Sequence, residues 1–139
     1  MSKKIEFIDL GLPSGRLWAS ENAEGYYTYD KAKEKFGEML PEPEAFKELW
    51  VECQWLWDAK KKGMIVIGPN NNTIFLPAFG CRNNASDSLF NVGSGGYYWS
   101  YYPYSPNYAR CLHFFSRGVS PLSIDHRSFG FSVHLCKEQ

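Results

Sequence analysis

The stretch Ala109-Arg-Cys-Leu-His-Phe-Phe-Ser-Arg117 decides how the second half of this 139-residue chain is interpreted. It lies in a region without Lys or Glu, so we predict a β-strand, whose successive side chains point to opposite faces. One face then carries Leu112, Phe114 and Ser116, which suit a core. The other face carries a chemically mixed set that folding does not require, namely Cys111, His113, Phe115 and Arg117.

The segments that follow this strand differ in their patterns. Residues 129–135 alternate cleanly and predict a strand with Phe131, Val133 and Leu135 facing inward, which leaves His134 exposed or at an edge. Residues 120–128 show no periodicity and predict an irregular loop. The apolar Leu122 and Ile124 of that loop stand among Ser and Asp, which indicates that they cover or contact something.

The segment before the strand is rich in tyrosine. Residues 97–100 predict a core strand, and residues 101–108 predict an irregular loop broken by Pro and Ser. Such a loop cannot bury all of its tyrosines, which are Tyr101, Tyr102, Tyr104 and Tyr108. Tyrosine and serine are typical of adaptable binding surfaces, because they combine rigid contact area with flexible hydrogen bonding.

The first half of the chain predicts two helices. One spans Tyr29–Phe36, with Asp30 near its N-cap and Gly37 after its end. The other spans residues 41–53 and carries one apolar stripe, consisting of Phe46, Leu49, Trp50 and Cys53. Residues 64–67 and 73–76 predict a hairpin around an Asn-rich turn. A short strand at residues 17–19 is expected to pair with the C-terminal strand.

Composition and charge exclude several classes of protein. The length fits one domain spanning residues 1–139. Lys plus Arg and Asp plus Glu both number 15, so no basic excess points to nucleic acid. Aromatic residues make up 17% of the chain, which excludes disorder, and the short apolar runs predict no membrane insertion. The first residues lack the apolar core of a signal peptide, so a virion component, a cytoplasmic protein and a surface protein on a carrier all stay open.

Candidate catalytic and metal sites are weak. Cys53, Cys81, Cys111 and Cys136 form no CxxC pair, and we interpret them as buried free thiols. Cys111 and His113 share a strand face, but no third group orients them, so we predict neither an enzyme nor a cofactor. Asp125 and His126 are sequence neighbours that point apart in an extended chain, so we predict no metal.

Several motifs occur in the order typical of one known family. Residues 8–19 (IDLGLPSGRLWA), 68–78 (GPNNNTIFLPA), 96–100 (GYYWS) and 127–133 (RSFGFSV) resemble the Bacteroidetes major-paralogous-domain proteins. That resemblance implies an α+β fold of the C-type lectin type, with two helices on small twisted antiparallel sheets. The chain lacks the Glu-Pro-Asn, Gln-Pro-Asp and Trp-Asn-Asp motifs of calcium-dependent sugar binding. It also lacks the reactive cysteine pair of the distantly similar formylglycine-generating enzymes.

Closely similar family members are variable proteins of diversity-generating retroelements, some of them carried by phages. There a C-terminal stretch is rewritten at adenines, largely in Asn codons, which cannot become Lys, Glu, Gln, Met or Trp. Residues 100–136 contain none of these five types. The resemblance thus implies a variable ligand-binding segment at about residues 100–128.

We therefore expect a binding domain for a protein or glycan ligand on a cell surface, with homo-oligomerisation left open. The alternatives are a carbohydrate-binding adhesin or pilus-tip module of fixed specificity, in which Trp55 and Trp57 would matter, and an enzyme that uses Cys111. The candidate ligand-binding residues are Tyr101, Tyr102, Tyr104, Ser105, Asn107, Arg110, Cys111, His113, Phe115, Arg117, Ser120, Leu122, Ser123, Ile124, Asp125, His126 and Ser128.

Overall fold

The computed structural model describes residues 5–139, which form an α+β structure with 16% helix and 47% strand. Residues 1–4, on which the prediction about a signal peptide partly rests, lie outside this range. The elements run in chain order as β1 (Phe7–Asp9), β2 (Leu17–Ala19), β3 (Ala23–Tyr27), α1 (Tyr29–Phe36), a 3-10 turn (Gly37–Met39), α2 (Pro43–Glu52), β4 (Gln54–Asp58), β5 (Gly63–Ile67), β6 (Thr73–Pro77), β7 (Cys81–Arg82), β8 (Leu89–Phe90), β9 (Gly95–Pro103), β10 (Tyr108–Phe115), β11 (Gly118–His126), β12 (Phe131–Val133) and β13 (Cys136–Lys137).

Both helices lie where the sequence predicts them. Helix α1 is capped by Thr28, whose hydroxyl accepts from the Lys31 amide, and Asp30 lies one position inside the first turn. Gly37, at φ 52°, ends the helix in the left-handed region that glycine adopts readily. Helix α2 begins with Pro43 in its first turn, where the missing amide hydrogen costs nothing.

The central sheet has the order β11-β10-β9-β12-β3 and is antiparallel apart from the β12–β9 pair. Strands β9 and β10 lie inside it, and a buried cluster covers each of their faces. The first cluster holds side chains of α2, β5 and β6 with Tyr98, Leu112 and Phe114. The second holds side chains of α1, β3 and β12 with Trp99, Ala109 and Cys111.

Smaller sheets complete the structure. The predicted hairpin of β5 and β6 forms and gains β4 as a third strand. Strand β2 pairs with the C-terminal end as predicted, but its partner is β13, whereas β12 pairs with β3 and β9. The remaining pair is β7 with β8.

The prediction of a loop over residues 120–128 is wrong, because Gly118–His126 is the edge strand of the central sheet. Its exposed side chains alternate with half-buried ones, but neither side is uniformly apolar, so the sequence shows no period. Pro121 also argues against a strand in the sequence. An edge strand tolerates proline because one row of its amides needs no partner in the sheet.

Two further burial predictions are wrong. His134, expected at an edge, is fully buried: its Nε2 donates to the Ala19 carbonyl (2.7 Å), and its Nδ1 lies 2.7 Å from the Asn22 amide oxygen. Trp50, expected in the core stripe of α2, is 40% exposed and contacts Trp55 edge-on at 5.7 Å between ring centroids. In both cases a neighbouring element decides the burial of a side chain whose pattern is ambiguous.

Candidate ligand-binding surface

Strands β9, β10 and β11 form a continuous antiparallel ribbon that positions the predicted site. The chain reverses between β9 and β10 in a tight bend, in which the amides of Tyr104 and Ser105 both donate to the Tyr108 carbonyl at 3.0 and 3.1 Å. The Ser105 hydroxyl accepts from the Tyr108 amide at 3.2 Å. These bonds make residues 104–108 a compact turn with two tyrosine side chains on the surface.

One side of this ribbon is open to solvent near the bend. Directly opposed residues of antiparallel strands place their side chains on the same side, and here Tyr108 opposes His126 and Arg110 opposes Ile124. The Arg110 guanidinium lies 5.0 Å from the Tyr104 ring centroid, and the Tyr108 and His126 rings are 4.6 Å apart. We call this exposed surface the outer face. It consists of Tyr104, Tyr108, Arg110, Leu122, Ile124 and His126.

The outer face is apolar for a solvent-exposed surface. Tyr104 is 56% exposed, Leu122 42% and Ile124 39%. No salt bridge to Arg110 forms among residues 5–139, so its charge is free beside the Tyr104 ring. A stacked Arg–Tyr pair flanked by aliphatic side chains combines the residue types that dominate binding energy at protein interfaces.

The opposite side of the ribbon is turned inward. Ala109 opposes Asp125 and Cys111 opposes Ser123, and we call these four residues the inner face. Cys111 is 1% exposed and belongs to the second buried cluster, so its predicted place on the binding surface is wrong. The reason is that α1, β3 and β12 cover the side of β10 that the sequence suggests is free.

The remaining residues of the predicted mixed face have separate environments. His113 is half-buried and stacks on Tyr97 with ring centroids 4.2 Å apart, while Phe115 contacts it edge-on and is exposed. Burial lowers the pKa of His113, an effect that the Asp125 carboxylate partly opposes. Arg117 lies exposed in the turn between β10 and β11, at the far end of the ribbon from Tyr104. The mixed face is therefore not one surface.

The other predicted residues surround the bend or the edge strand. Tyr102, which precedes the bend, and Asn107, which lies within it, are exposed. Ser120 is exposed farther along β11, opposite His113. Half-buried positions are Tyr101, Ser105, Ser123, Asp125 and Ser128. Tyr101 is anchored through its amide, which donates to the Pro41 carbonyl at 2.7 Å, and the Lys33 ammonium lies 4.9 Å from its ring centroid.

A cleft lies beside Tyr101 and Tyr102. It has a volume of about 540 Å³, within the range of small-molecule sites. The two tyrosine rings meet edge-on with centroids 5.3 Å apart. The other residues that line the cleft are apolar or charged, namely Arg16, Glu38, Met39, Leu40, Glu42, Cys136, Lys137 and Glu138.

The environments of Cys111, Trp55 and Trp57 bear on the two alternative functions. Burial raises the pKa of the Cys111 thiol to about 12, which is the reverse of what a cysteine nucleophile needs. Trp55 and Trp57 are half-buried against the first cluster, and the Trp55 indole donates to the Leu49 carbonyl at 3.0 Å. That pair of tryptophans is thus not a free stacking platform.

Cysteine and metal chemistry add no further centre in the part of the chain that the structure describes. All four cysteines are free thiols; Cys111 and Cys136 are buried, and Cys53 and Cys81 are half-buried. Within residues 5–139 no three His, Cys, Asp or Glu side chains are arranged so that they could hold a metal ion.

Tyr108 of the outer face and Arg127 are residues of this region that were not among the predicted candidates. The Arg127 side chain donates to the carbonyl oxygens of Ser105 and Tyr108 in the turn of residues 104–108, which we call the tyrosine bend. The only sequence signal for it was its place in the 127–133 motif, which carries no information about contacts with residues 105–108.

Comparison of the chain with protein-family models, curated proteins and solved structures finds no significant match. In the described residues no helix is long and apolar enough to cross a membrane.

Proposed function

We propose that this chain is a ligand-binding domain whose recognition surface is the outer face together with the exposed residues Tyr102 and Asn107. One observation carries the proposal: Tyr104, Leu122 and Ile124 stay exposed around Arg110, although the adjacent strand β10 buries Ala109, Cys111, Leu112 and Phe114. The fold gains little from these exposed groups, whereas a partner would gain much from covering them.

The proposal includes a C-type lectin fold and diversification of the surface by a retroelement, as the motif resemblance implies. Two features of the molecule support this. Along β10 the buried scaffold positions Ala109 and Cys111 alternate with Tyr108 and Arg110, whose identity the core does not restrict. Every outer-face residue is also of a type reachable from an Asn codon by adenine mutagenesis.

The flanking DNA tests the diversification. We expect a near-copy of the 3′ end of the gene, beside a reverse transcriptase, with Asn codons at positions 110, 122, 124 and 126. At positions 109 and 111, which are buried, the two copies should be identical. A gene without such a copy, or a copy that differs only at buried codons, would refute this part of the proposal.

A pair of display libraries tests the surface itself. One library randomises Arg110, Leu122, Ile124 and His126, and the matched library randomises the opposed inner-face residues Ala109, Cys111, Ser123 and Asp125. We expect most protease-resistant clones, and all binders selected against lysozyme as a probe protein, to come from the first library. Equal loss of protease resistance in both libraries would show that the outer face is part of the scaffold.

The cleft beside Tyr101 and Tyr102 favours a second candidate, a carbohydrate-binding module of fixed specificity. Aromatic rings next to charged and polar groups are suited to a sugar ring, and the cleft does not involve Trp55 or Trp57. A glycan array probed with the wild-type chain and the Tyr102→Ala variant separates the two functions. One defined glycan, lost on substitution, would favour the sugar-binding module.

A further inference from the structure

The Arg127 side chain connects the tyrosine bend to the rest of the molecule through hydrogen bonds and contacts with α1. The guanidinium Nη2 donates to the Ser105 carbonyl at 2.7 Å, and Nε donates to the Tyr108 carbonyl at 3.3 Å. The guanidinium carbon lies 5.2 Å from the centroid of the Tyr29 ring, and Nη1 is 3.7 Å from a carboxylate oxygen of Asp30. One side chain thus joins both sides of the bend to the start of α1.

Main-chain bonds hold the same residue in place. The Arg127 amide donates to the Asn107 carbonyl at 3.0 Å, and the Arg127 carbonyl accepts from the Tyr29 amide at 3.0 Å. Tyr29 is buried, and its hydroxyl donates to the Tyr101 carbonyl in β9, the strand that leads into the bend. The anchor therefore rests on a core residue and does not depend on the exposed side chains around it.

The geometry points to Arg127 as a positioning residue of the recognition surface, an inference that rests on the proposed function. By holding two carbonyl oxygens of the bend, it fixes the backbone that presents Tyr104 and Tyr108 before any ligand arrives. A surface ordered in advance binds more tightly, because less conformational entropy is lost on binding. Only arginine offers a planar fork of donors that can reach both carbonyls while stacking on Tyr29.

The place of Arg127 in the chain bears on the proposed diversification. Position 127 lies between His126 and Ser128, two positions that we predicted to contact the ligand. If Arg127 positions the bend, its codon must stay constant while codon 126 varies. Arg127 would then be a fixed residue inside the variable segment.

Amide hydrogen exchange of the 139-residue chain tests the positioning role without any ligand. Comparing Arg127→Ala with wild type, we expect exchange at the Tyr104, Ser105 and Tyr108 amides to rise at least about tenfold, the factor for losing one hydrogen bond to a charged group. Amides of β5 and β6 should keep their wild-type rates. The matched control is Arg117→Ala, which removes an exposed arginine from the other end of the ribbon and should leave the bend unchanged.

Arg127→Lys keeps the inference testable if the alanine variant fails to fold. Lysine retains the charge near Asp30 but cannot reach both carbonyls in fork geometry, so exchange in the bend should rise by a smaller factor. Wild-type exchange in the bend of a folded Arg127 variant would overturn the inference. So would an equal rise across the whole chain, since Arg127 would then be a general stabilising residue.

A binding measurement separates this inference from the proposed function. A clone selected against lysozyme from the outer-face library should lose about tenfold or more in affinity on Arg127→Ala and little on Arg117→Ala. Unchanged affinity would contradict the positioning role. Failure to select any clone would count against the proposed function, while the exchange measurement would still decide whether Arg127 orders the bend.

Discussion

The two sides of the β10–β11 ribbon differ in what the fold requires of them. On the inner face, Ala109 and Cys111 are enclosed by α1, β3 and β12, and their size and polarity are restricted. On the outer face, Ile124 and Leu122 lie on the same ribbon and are 39% and 42% exposed. The alternation of side chains along the strands does not distinguish the two sides. The difference arises from which side the remaining elements cover.

The largest expected difference between the faces comes from placing a charge on each. Cys111→Asp buries a carboxylate with no partner and should lower the free energy of unfolding by about 4 kcal/mol or more. The matched variant Ile124→Asp should change it by less than about 0.5 kcal/mol, because the new carboxylate stays hydrated. Urea unfolding followed by circular dichroism measures both. Similar losses of stability in the two variants would contradict the difference in burial between the two faces.

Acid should weaken the fold through His134, which lies at the enclosed end of the same sheet. Burial lowers its pKa to about 4, against about 6.5 in the unfolded chain. Between these values the unfolded chain binds more protons than the folded one, so stability is full above about pH 6.5 and falls as the pH drops toward 4. The loss from this group is about 3 kcal/mol.

Urea unfolding at several pH values measures this acid effect. His134→Gln should flatten the slope between pH 6.5 and 4. Val133→Ala, a cavity variant at the neighbouring buried position, should be less stable but keep the wild-type slope. An unaltered slope in the glutamine variant would assign the acid effect to other groups.

Thiol labelling compares the faces under native conditions. The buried Cys111 thiol, with its pKa raised to about 12, should react with iodoacetamide only when the structure opens. A cysteine introduced by Ile124→Cys should react at least about a hundredfold faster. Mass spectrometry of labelled peptides distinguishes the two sites. Equal rates at native pH would place Cys111 in contact with solvent and contradict its burial.

The smallest effect should come from shortening an outer-face side chain. Leu122→Ser is expected to change the free energy of unfolding by less than about 0.5 kcal/mol. Val119→Ser, on the same strand but packed against the first cluster, should cost about 1–2 kcal/mol. Thermal unfolding of the two variants gives the comparison. A Leu122→Ser loss as large as that of Val119→Ser would show that the outer face belongs to the core.

What the sequence determined by itself is the local structure. The caps and apolar spacing of the two helices and the hairpin around the Asn-rich turn follow from interactions between near neighbours. The strands predicted at residues 97–100 and 109–117 are observed as Gly95–Pro103 and Tyr108–Phe115, so residues 101–103 of the predicted loop belong to a strand and residues 116–117 to a turn. The inward positions Phe131, Val133 and Leu135 were also predictable, since strict alternation states which side chains share a face.

Only the tertiary structure decided which faces are covered. Cys111 and His134 are buried because elements distant in the sequence pack against them: α1, β3 and β12 enclose Cys111, and residues 18–22 enclose His134. Trp50 is exposed because its neighbours cover only part of its ring. Edge strand β11 exists through its pairing with β10, and Arg127 reaches the bend because that pairing brings residue 127 beside residues 105–108. Periodicity specifies that two faces differ. Which of them meets water depends on packing between residues far apart in the chain.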